Sequence, residues 1–199
     1  MSEQLPHKTG GPAGAARPAQ VKPWEKTPPR AAPSAATPSM PPLKPQEEWP
    51  AIWRERLNAT RRGLVAWTYA GLGQDLLGEK TDGLDDRRAF IGRLLHDMNH
   101  PAGTHTFWPV CLPIEGVMTS APEIFWSGIA LLGARFVMVF GEDAVTSLAL
   151  PAPLSVFQQT MWRGVLISTF PGVDTLLRDE ANYSAMLSMV REKLRRFVR

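Results

Sequence analysis

The sequence predicts an α/β domain with three layers, in which helices cover both faces of a mostly parallel central sheet. Two apolar runs of strand length, residues 135–141 and 164–170, each lead into a segment with the residues of a turn and a helix start. Strands that alternate with helices are typical of parallel sheets buried on both faces. The hydrophobic content of 44% is sufficient for one core in a folded region of about 150 residues.

Residues 1–45 are predicted to form a disordered tail rich in proline and alanine. Twelve of the 19 prolines lie in the first 50 residues, and large apolar residues are scarce before Trp49. Such a segment buries too little surface to offset the entropy of ordering. It also lacks the apolar central region of a secretory signal. We interpret it as a flexible basic tether or as a docking segment for a partner protein, followed by a folded domain over 46–199.

The first half of the folded region predicts four elements. Apolar residues at helical spacing over 49–57 indicate a helix, and residues 63–69 indicate a buried strand. Glycines then break the chain before a short helix over 74–77. Residues 85–98 form an amphipathic pattern, which we expect to end at about Asn99 because the next residue precedes a proline.

The second half continues the alternation of strands and helices. Pro109 interrupts one strand candidate, so we expect a bulge or a sheet edge there. The predicted elements are a strand over 104–112, a helix that starts at 120–123 and ends at Gly133, a strand over 136–140, a helix over 142–148, a hairpin of 156–160 with 165–169, and a final helix over 182–198.

Three segments resemble the uracil-DNA glycosylase superfamily, especially its compact bacterial and archaeal branches. Residues 131–144 are similar to the family segment in which a helix leads to a strand and a Gly-x-x-Ala turn. Residues 167–179 resemble the closing motif, in which a Thr-Tyr-His-Pro turn precedes a Leu-Leu-Arg segment. Residues 107–113 resemble a strand that ends in Cys-Arg-Pro. The resemblance covers roughly residues 63–199 and implies a glycosylase-like fold.

The resemblance also implies a binding surface at the ends of the strands. Enzymes of this family extrude a uracil, stack it on an aromatic ring, read its edge with an asparagine and stabilise the uracil anion with the closing histidine. An acidic residue or asparagine in the first glycine-rich loop activates the water. The matching surface in this chain comprises 69–75, 107–108, 140–143 and 169–172, with ligand-binding candidates Tyr69, Gly71, Gly73, Gln74, Phe107, Trp108, Phe170, Pro171 and Gly172.

The residues that would perform the family's chemistry are changed. Phe170 stands at the histidine position, and its side chain cannot donate a hydrogen bond to a developing anion. Loss of such a donor costs about 3–4 kcal/mol of transition-state stabilisation. Phe107 stands where we expect the asparagine, and no acid directly follows the strand that ends at Tyr69. Asp75 is therefore the catalytic candidate in the first loop, although a place at the N-cap or in the first turn of a helix is the simpler explanation for it.

We predict a glycosylase-like domain with lost or altered catalysis that acts as a nucleic-acid-binding or assembly module. One alternative is an active uracil-DNA glycosylase of base excision repair with displaced residues, in which Asp75 activates the water and Asn99 or His100 reads the base. The other alternative is a protein-binding adaptor that uses the proline-rich tail. In that case the folded domain has no nucleic-acid role.

Basic residues near the last strand and at the chain end suit contacts with nucleic acid. Arg163 and Arg178 flank that strand and its loop, and fit either phosphate contacts or solvated surface charges. Residues 191–199 carry five Lys or Arg residues against Glu192 alone. This pattern suits phosphate contacts and also the C-terminus of a helix. The expected partners are DNA and a protein that docks on the tail.

The remaining inventory argues against cofactor, metal and membrane classes. Cys111 is the single cysteine, which excludes an internal disulfide and a four-cysteine iron–sulfur or zinc site, and fits a cytoplasmic protein. His96 and His100 have the i, i+4 spacing of a zinc pair but lack the glutamate of a metalloprotease. The sequence contains no P-loop, no Gly-x-Gly-x-x-Gly motif and no apolar run of about 18 residues. We expect no cofactor, no metal and no membrane partner.

Overall fold

A computed structural model of the protein describes residues 43–198 and shows an α/β fold. A short 3-10 helix, Gln46–Glu48, precedes the regular elements. The helices are Ala51–Ala59 (α1), Leu72–Leu77 (α2), Leu84–Met98 (α3), Pro122–Leu132 (α4), Glu142–Ser147 (α5), Val173–Arg178 (α6) and Glu180–Leu194 (α7). The strands are Val65–Tyr69 (β1), His105–Phe107 (β2), Cys111–Ile114 (β3), Val117–Ser120 (β4), Phe136–Phe140 (β5), Gln159–Trp162 (β6) and Val165–Phe170 (β7).

The central sheet has five strands in the order β2-β1-β5-β7-β6. The first four are parallel, and β6 pairs antiparallel with β7. The mostly parallel sheet and the final hairpin are thus confirmed. From β1 the chain adds β2 on one side and β5 on the other, so the strand order reverses between β1 and β5. Ligands of open α/β sheets bind beside such a reversal, outside the carboxyl ends of the strands.

The two ends of this sheet differ in the residues that they present. The carboxyl edge is where the parallel strands end, at Tyr69, Phe140 and Phe170. The amino edge is where they begin, and it includes the residues just before β1 and β5 and the turn between β6 and β7. Helices that follow parallel strands run back from the carboxyl edge to the amino edge.

The side chains of the strands alternate between two apolar layers. Ala66, Val137 and Val139 face a cluster that includes α1 and α4. Trp67 and Met138 face the second cluster, which includes α3, α6 and α7. This alternation follows from the period of two in a strand and explains why helices cover both faces of the sheet.

The predicted strand over 104–112 is wrong as a single element. His105–Phe107 joins the central sheet at its edge, whereas Cys111–Ile114 leaves it and pairs antiparallel with Val117–Ser120. Proline cannot donate a hydrogen bond to a neighbouring strand. Pro109 therefore fits the gap between β2 and β3, and Pro113 fits a strand that lies outside the main sheet. Glu115 and Gly116 form the two-residue turn of this second hairpin with φ of 52° and 79°, the geometry of a type I′ turn.

The remaining boundaries agree with the predictions to within about two residues, except that β6 spans Gln159–Trp162 and not 156–160, and α7 ends at Leu194 and not at 198. The helix α3 ends at Met98, and Gly133 follows α4, as expected. The helix α7 begins earlier than predicted because the Asp179 carboxylate accepts hydrogen bonds from the backbone N–H groups of Ala181 and Asn182. Within residues 43–198, no helix is long and apolar enough to span a membrane.

The folded contacts reach back to Lys44, whose backbone N–H donates to the Ser127 hydroxyl at 2.8 Å. The Trp49 indole N–H donates in turn to the Lys44 carbonyl oxygen at 3.0 Å. Apart from positions 43–45, the predicted tail lies outside the described residues.

Candidate ligand-binding cleft

A cleft of about 330 Å³ lies at the carboxyl edge, beside the reversal of strand order. The ends of β1, β5 and β7 and the starts of α2, α5 and α6 bring its lining together, as the topology requires. The predicted residues that line it are Tyr69, Gly71, Gln74, Phe140, Gly141, Asp143 and Gly172. Four of the nine predicted ligand-binding residues therefore meet at one site, together with part of the 140–143 segment.

A buried polar network forms one wall of this cleft. The Asp75 carboxylate accepts hydrogen bonds from the Tyr69 hydroxyl at 2.6 Å and from the Arg87 Nε–H and Nη2–H groups at 2.8 and 2.7 Å. The Thr81 hydroxyl approaches the same carboxylate at 3.3 Å. A carboxylate offers about four acceptor sites, so these donors occupy all of them. Asp75 therefore holds α2, α3 and the end of β1 together.

The network changes the acidity of its members. Burial disfavours the Asp75 anion, but hydrogen bonds from Arg87 and Tyr69 outweigh burial and lower the pKa of Asp75 below its ordinary value. Burial, followed by the hydrogen bond to Asp75, raises the pKa of Tyr69 above its ordinary value. Asp75 is thus a weak base with filled acceptor sites, which does not match a residue that activates water.

The charge in the cleft is negative. Asp82, Asp143 and Asp174 line it, whereas Arg87 is the one cation of the lining within residues 43–198 and is paired with Asp75 at 2.7 Å. Three carboxylates without a lining counterion repel the phosphates of a nucleic acid. This edge of the sheet therefore presents the wrong charge for a DNA groove.

The residues of the closing motif lie partly in the core. Phe170 is 1% exposed, and its ring centroid lies 5.9 Å from that of Phe140 and 6.0 Å from that of Phe157. Pro171 and Thr169 are also buried, so Gly172 is the part of this motif that reaches the cleft. Phe170 was predicted to contact a ligand, but its side chain is a packing residue between the sheet and the α3–α7 layer.

The predicted stacking residue Trp108 also belongs to the core. Its side chain is fully buried, its indole N–H donates to the Phe125 carbonyl oxygen at 3.1 Å, and its ring contacts the rings of Trp49 and Trp53. A base cannot stack on a ring enclosed in this way. Phe107 lines a separate groove of about 260 Å³ between the end of α1 and β2, away from the cleft.

The two glycines of the first loop have different roles. A Cβ atom on Gly73 would lie 2.2 Å from the Cys111 carbonyl oxygen, so Gly73 permits α2 to pack against the β3 backbone. A Cβ atom on Gly71 would meet its nearest neighbour, the Tyr69 ring, at 3.9 Å. Gly71 thus stands open at the cleft, whereas Gly73 is a packing residue.

The two predicted phosphate-binding arginines do not join the cleft. Arg163 lies in the β6–β7 turn with a φ of 54°, at the amino edge. Arg178 is exposed at the end of α6 and does not line the cleft. Arg163 precedes a parallel strand, so it necessarily lies at the end of the sheet opposite to the predicted site.

The displaced residues considered for an active enzyme are also at the wrong end. Arg87 contacts Asp75 in the first turn of α3, whereas Asn99 caps the end of that helix. Twelve residues of helix separate them by about 18 Å. Asn99 and His100 therefore cannot read a base next to the water that Asp75 would activate.

His100 instead forms a pair with His105. Their rings stack with centroids 5.1 Å apart, and His100 Nδ1 lies 3.2 Å from His105 Nε2. The Trp67 indole N–H donates to His105 Nδ1 at 3.0 Å, which fixes that nitrogen as an acceptor. Burial, together with repulsion from His100, lowers the pKa of His105 to about 4. Among the described residues, no group of three His, Cys, Asp or Glu side chains could hold a metal ion.

Arg87 and Thr81 were not predicted, yet they complete the polar network. A cation in the first turn of a helix interacts unfavourably with the helix dipole. The position of Arg87 in the first turn therefore indicates that a specific acidic partner stabilises it. The sequence does not indicate that this partner is Asp75, which lies on another helix.

Comparisons with known proteins do not assign the chain to a family. No family model matches the sequence, and no curated protein matches it. The geometry of the sheet and its two edges is therefore the basis for a functional proposal.

Proposed function

We propose that this domain is a uracil-DNA-glycosylase-like α/β module without base-excision catalysis that works by binding nucleic acid. The main support for the loss of catalysis is the hydrogen bonding of Asp75. Its acceptor sites are filled by Tyr69, Arg87 and Thr81. An enzyme of this kind needs a carboxylate or amide with a free acceptor for water and a donor for the developing anion. Here the position of the donor holds buried Phe170.

The resemblance to the glycosylase superfamily supports a nucleic-acid ligand, and the distribution of charge limits where it can bind. Residues 43–198 carry 16 Lys and Arg residues against 17 Asp and Glu residues. The folded region therefore has no cationic excess, and phosphate binding requires a local one. The acidic cleft does not supply such an excess. A nucleic acid would therefore bind elsewhere than at the cleft where the resemblance places the family's site.

The experiment combines a cleavage assay with a binding assay on the full chain. Fluorescent single-stranded and double-stranded oligonucleotides, each with uracil or thymine at one position, are titrated over a salt series and then run on a denaturing gel after alkali. We expect affinity that weakens steeply with salt, no preference for uracil, and intact strands at protein excess.

Two other results would contradict the proposal. Strand breaks at uracil would establish an active glycosylase, and Asp75→Ala would then be the first variant to test. Absence of both affinity and breaks would favour the adaptor hypothesis, in which the proline-rich tail docks a partner protein.

A further inference from the structure

We propose that the amino edge of the sheet, opposite to the cleft, is a binding surface for single-stranded nucleic acid. This inference rests on the proposed function and assigns its surface and its ligand class. The surface, here called the basic edge, comprises Arg61, Arg62, Arg135, Arg163, Arg195 and Arg196.

The topology brings these arginines together from distant parts of the sequence. The Arg61 carbonyl oxygen accepts a hydrogen bond from the Thr106 hydroxyl at the start of β2, which places Arg61 beside β1 and β2. The Arg135 backbone bonds to Leu64 before β1 and to Leu166 in β7, at 2.9 and 3.0 Å. Neighbouring strands are about 4.8 Å apart, so the backbones of Arg61 and Arg135 lie about 5–10 Å apart along the sheet end.

The C-terminus of α7 extends the same surface. The ring of Phe197 contacts the ring of Phe136, the first residue of β5, with centroids 5.0 Å apart. Arg195 and Arg196 directly precede Phe197 and are exposed. The last helix therefore delivers two more cations to the end of the sheet that already carries Arg135.

The basic edge also contains a groove with an apolar floor. This groove, of about 790 Å³, is lined by Arg135 and Arg163 and by apolar groups that include Trp126, Ile129 and Val165. It is larger than the cleft at the carboxyl edge, and no carboxylate lines it within the described residues. Its charge is therefore suited to a polyanion.

Aromatic rings beside the arginines favour a single strand over a duplex. The Arg163 guanidinium lies 5.9 Å from the ring centre of partly exposed Trp162, and Phe197 is 61% exposed. Unpaired bases stack on such rings, while neighbouring cations hold the phosphates. The edge is built from turns and a helix end, and it presents no helix of the kind that enters a major groove.

The carboxyl edge restricts a polyanion to the basic edge. The carboxylates of Asp82, Asp143 and Asp174 lie at the carboxyl edge. A polyanion is repelled from that end and attracted to the basic edge. The domain therefore faces a bound nucleic acid with its basic edge.

Charge reversals at the two edges test this inference on the full chain. Arg61→Glu with Arg135→Glu changes the net charge by the same amount as Lys80→Glu with Arg178→Glu, which lies away from the basic edge. All four positions are exposed, and thermal unfolding establishes that each variant folds. The probe is a fluorescein-labelled 20-nucleotide oligothymidylate, with a duplex of equal length and phosphatidylserine vesicles as competitors.

We expect the basic-edge pair to raise the Kd at least tenfold and to reduce the salt slope by about 1.4, because two phosphate contacts are lost. The matched pair should change the Kd less than about threefold. Phe197→Ala should weaken binding about tenfold, because one stacking platform is removed.

The outcomes separate this inference from the proposed function. If the wild-type chain binds the oligonucleotide but the two charge-reversal pairs weaken it equally, the basic edge is not the site, and nucleic-acid binding itself stands. Preference for the duplex or the vesicles would overturn the ligand class. Absence of any binding by the wild-type chain would overturn the proposed function as well.

Discussion

The two edges of the central sheet hold charged residues in opposite ways. At the carboxyl edge, buried Asp75 is bonded to half-buried Arg87, and the other charged residues that line the cleft within 43–198 are carboxylates. At the amino edge, Arg61 and Arg135 are exposed to solvent, and Arg135 lines a partly apolar groove. The carboxyl edge, where α/β folds usually bind ligands, holds a bonded charge network, whereas the amino edge carries the exposed arginines of the proposed binding surface.

The largest expected effect tests Trp108 as a core residue. Trp108→Ala should destabilise the domain by about 4 kcal/mol, because it removes a buried ring that contacts Trp49 and Trp53. Urea unfolding measures the change. The affinity of the folded fraction for the oligonucleotide should stay unchanged. If the variant instead unfolds like the wild type but binds the oligonucleotide more weakly, Trp108 stacks on a base and is not a core residue.

The next effect tests the closed network at the carboxyl edge. Asp75→Asn should destabilise the domain by about 3 kcal/mol, because the half-buried Arg87 guanidinium loses its counterion. Asp174→Asn, at an exposed position of the same cleft, is the control and should stay within about 0.5 kcal/mol.

The stability that Asp75 contributes should also depend on pH. Its pKa is lowered in the folded state from the ordinary 3.8, so this contribution is complete above the unfolded pKa and is lost as the pH falls through the folded pKa. The difference between wild type and Asp75→Asn should therefore narrow below about pH 4. A difference that is constant with pH would show that ionisation of Asp75 is not what holds the network.

A smaller effect separates the two glycines of the first loop. Gly73→Ala should destabilise the domain by about 2 kcal/mol, because its Cβ atom would collide with the Cys111 carbonyl oxygen. Gly71→Ala has room for the added atom and should be nearly neutral. Chemical denaturation of both variants checks this. Equal stability of the two would remove the argument that Gly73 is a packing residue.

The smallest effect concerns the histidine pair at the amino edge. Burial lowers the pKa of His105 to about 4 from 6.5, so the unfolded chain binds more protons between these values and stability falls as the pH drops from 6.5 towards 4. His105→Gln should remove about 1–2 kcal/mol of this pH dependence while its amide oxygen accepts the Trp67 N–H bond. An unchanged pH profile of unfolding would contradict the assignment.

The fold was predictable because its signals are local. The apolar runs that form β1, β5 and β7, and the stop signals around α3 and α4, indicate the alternation of strands and helices without reference to tertiary contacts. The hairpin of β3 and β4 was missed because Pro109 weakened the strand pattern, although Glu115-Gly116 resembles the turn dipeptides of two-residue hairpins.

The site was less predictable because its residues depend on partners that the sequence does not pair. The cleft lies where the strand ends predicted it, but the bond of Asp75 to Arg87 joins two helices and has no local signature. Trp108 and Phe170 lie at or just after strand ends, where a ring can contact either a ligand or the core. In the structure both rings are buried in the core. Arg163 was predictable at the amino edge, since it lies in the turn that leads into a parallel strand.

Photo-crosslinking tests the contrast between the two edges most directly. The full chain is irradiated with an oligonucleotide that carries 5-bromodeoxyuridine, and the crosslinked peptides are identified by mass spectrometry. The account predicts crosslinks in peptides that contain Trp162 or Phe197, at the basic edge. Crosslinks concentrated in the peptide that contains Tyr69 and Gln74, at the carboxyl-edge cleft, would contradict it.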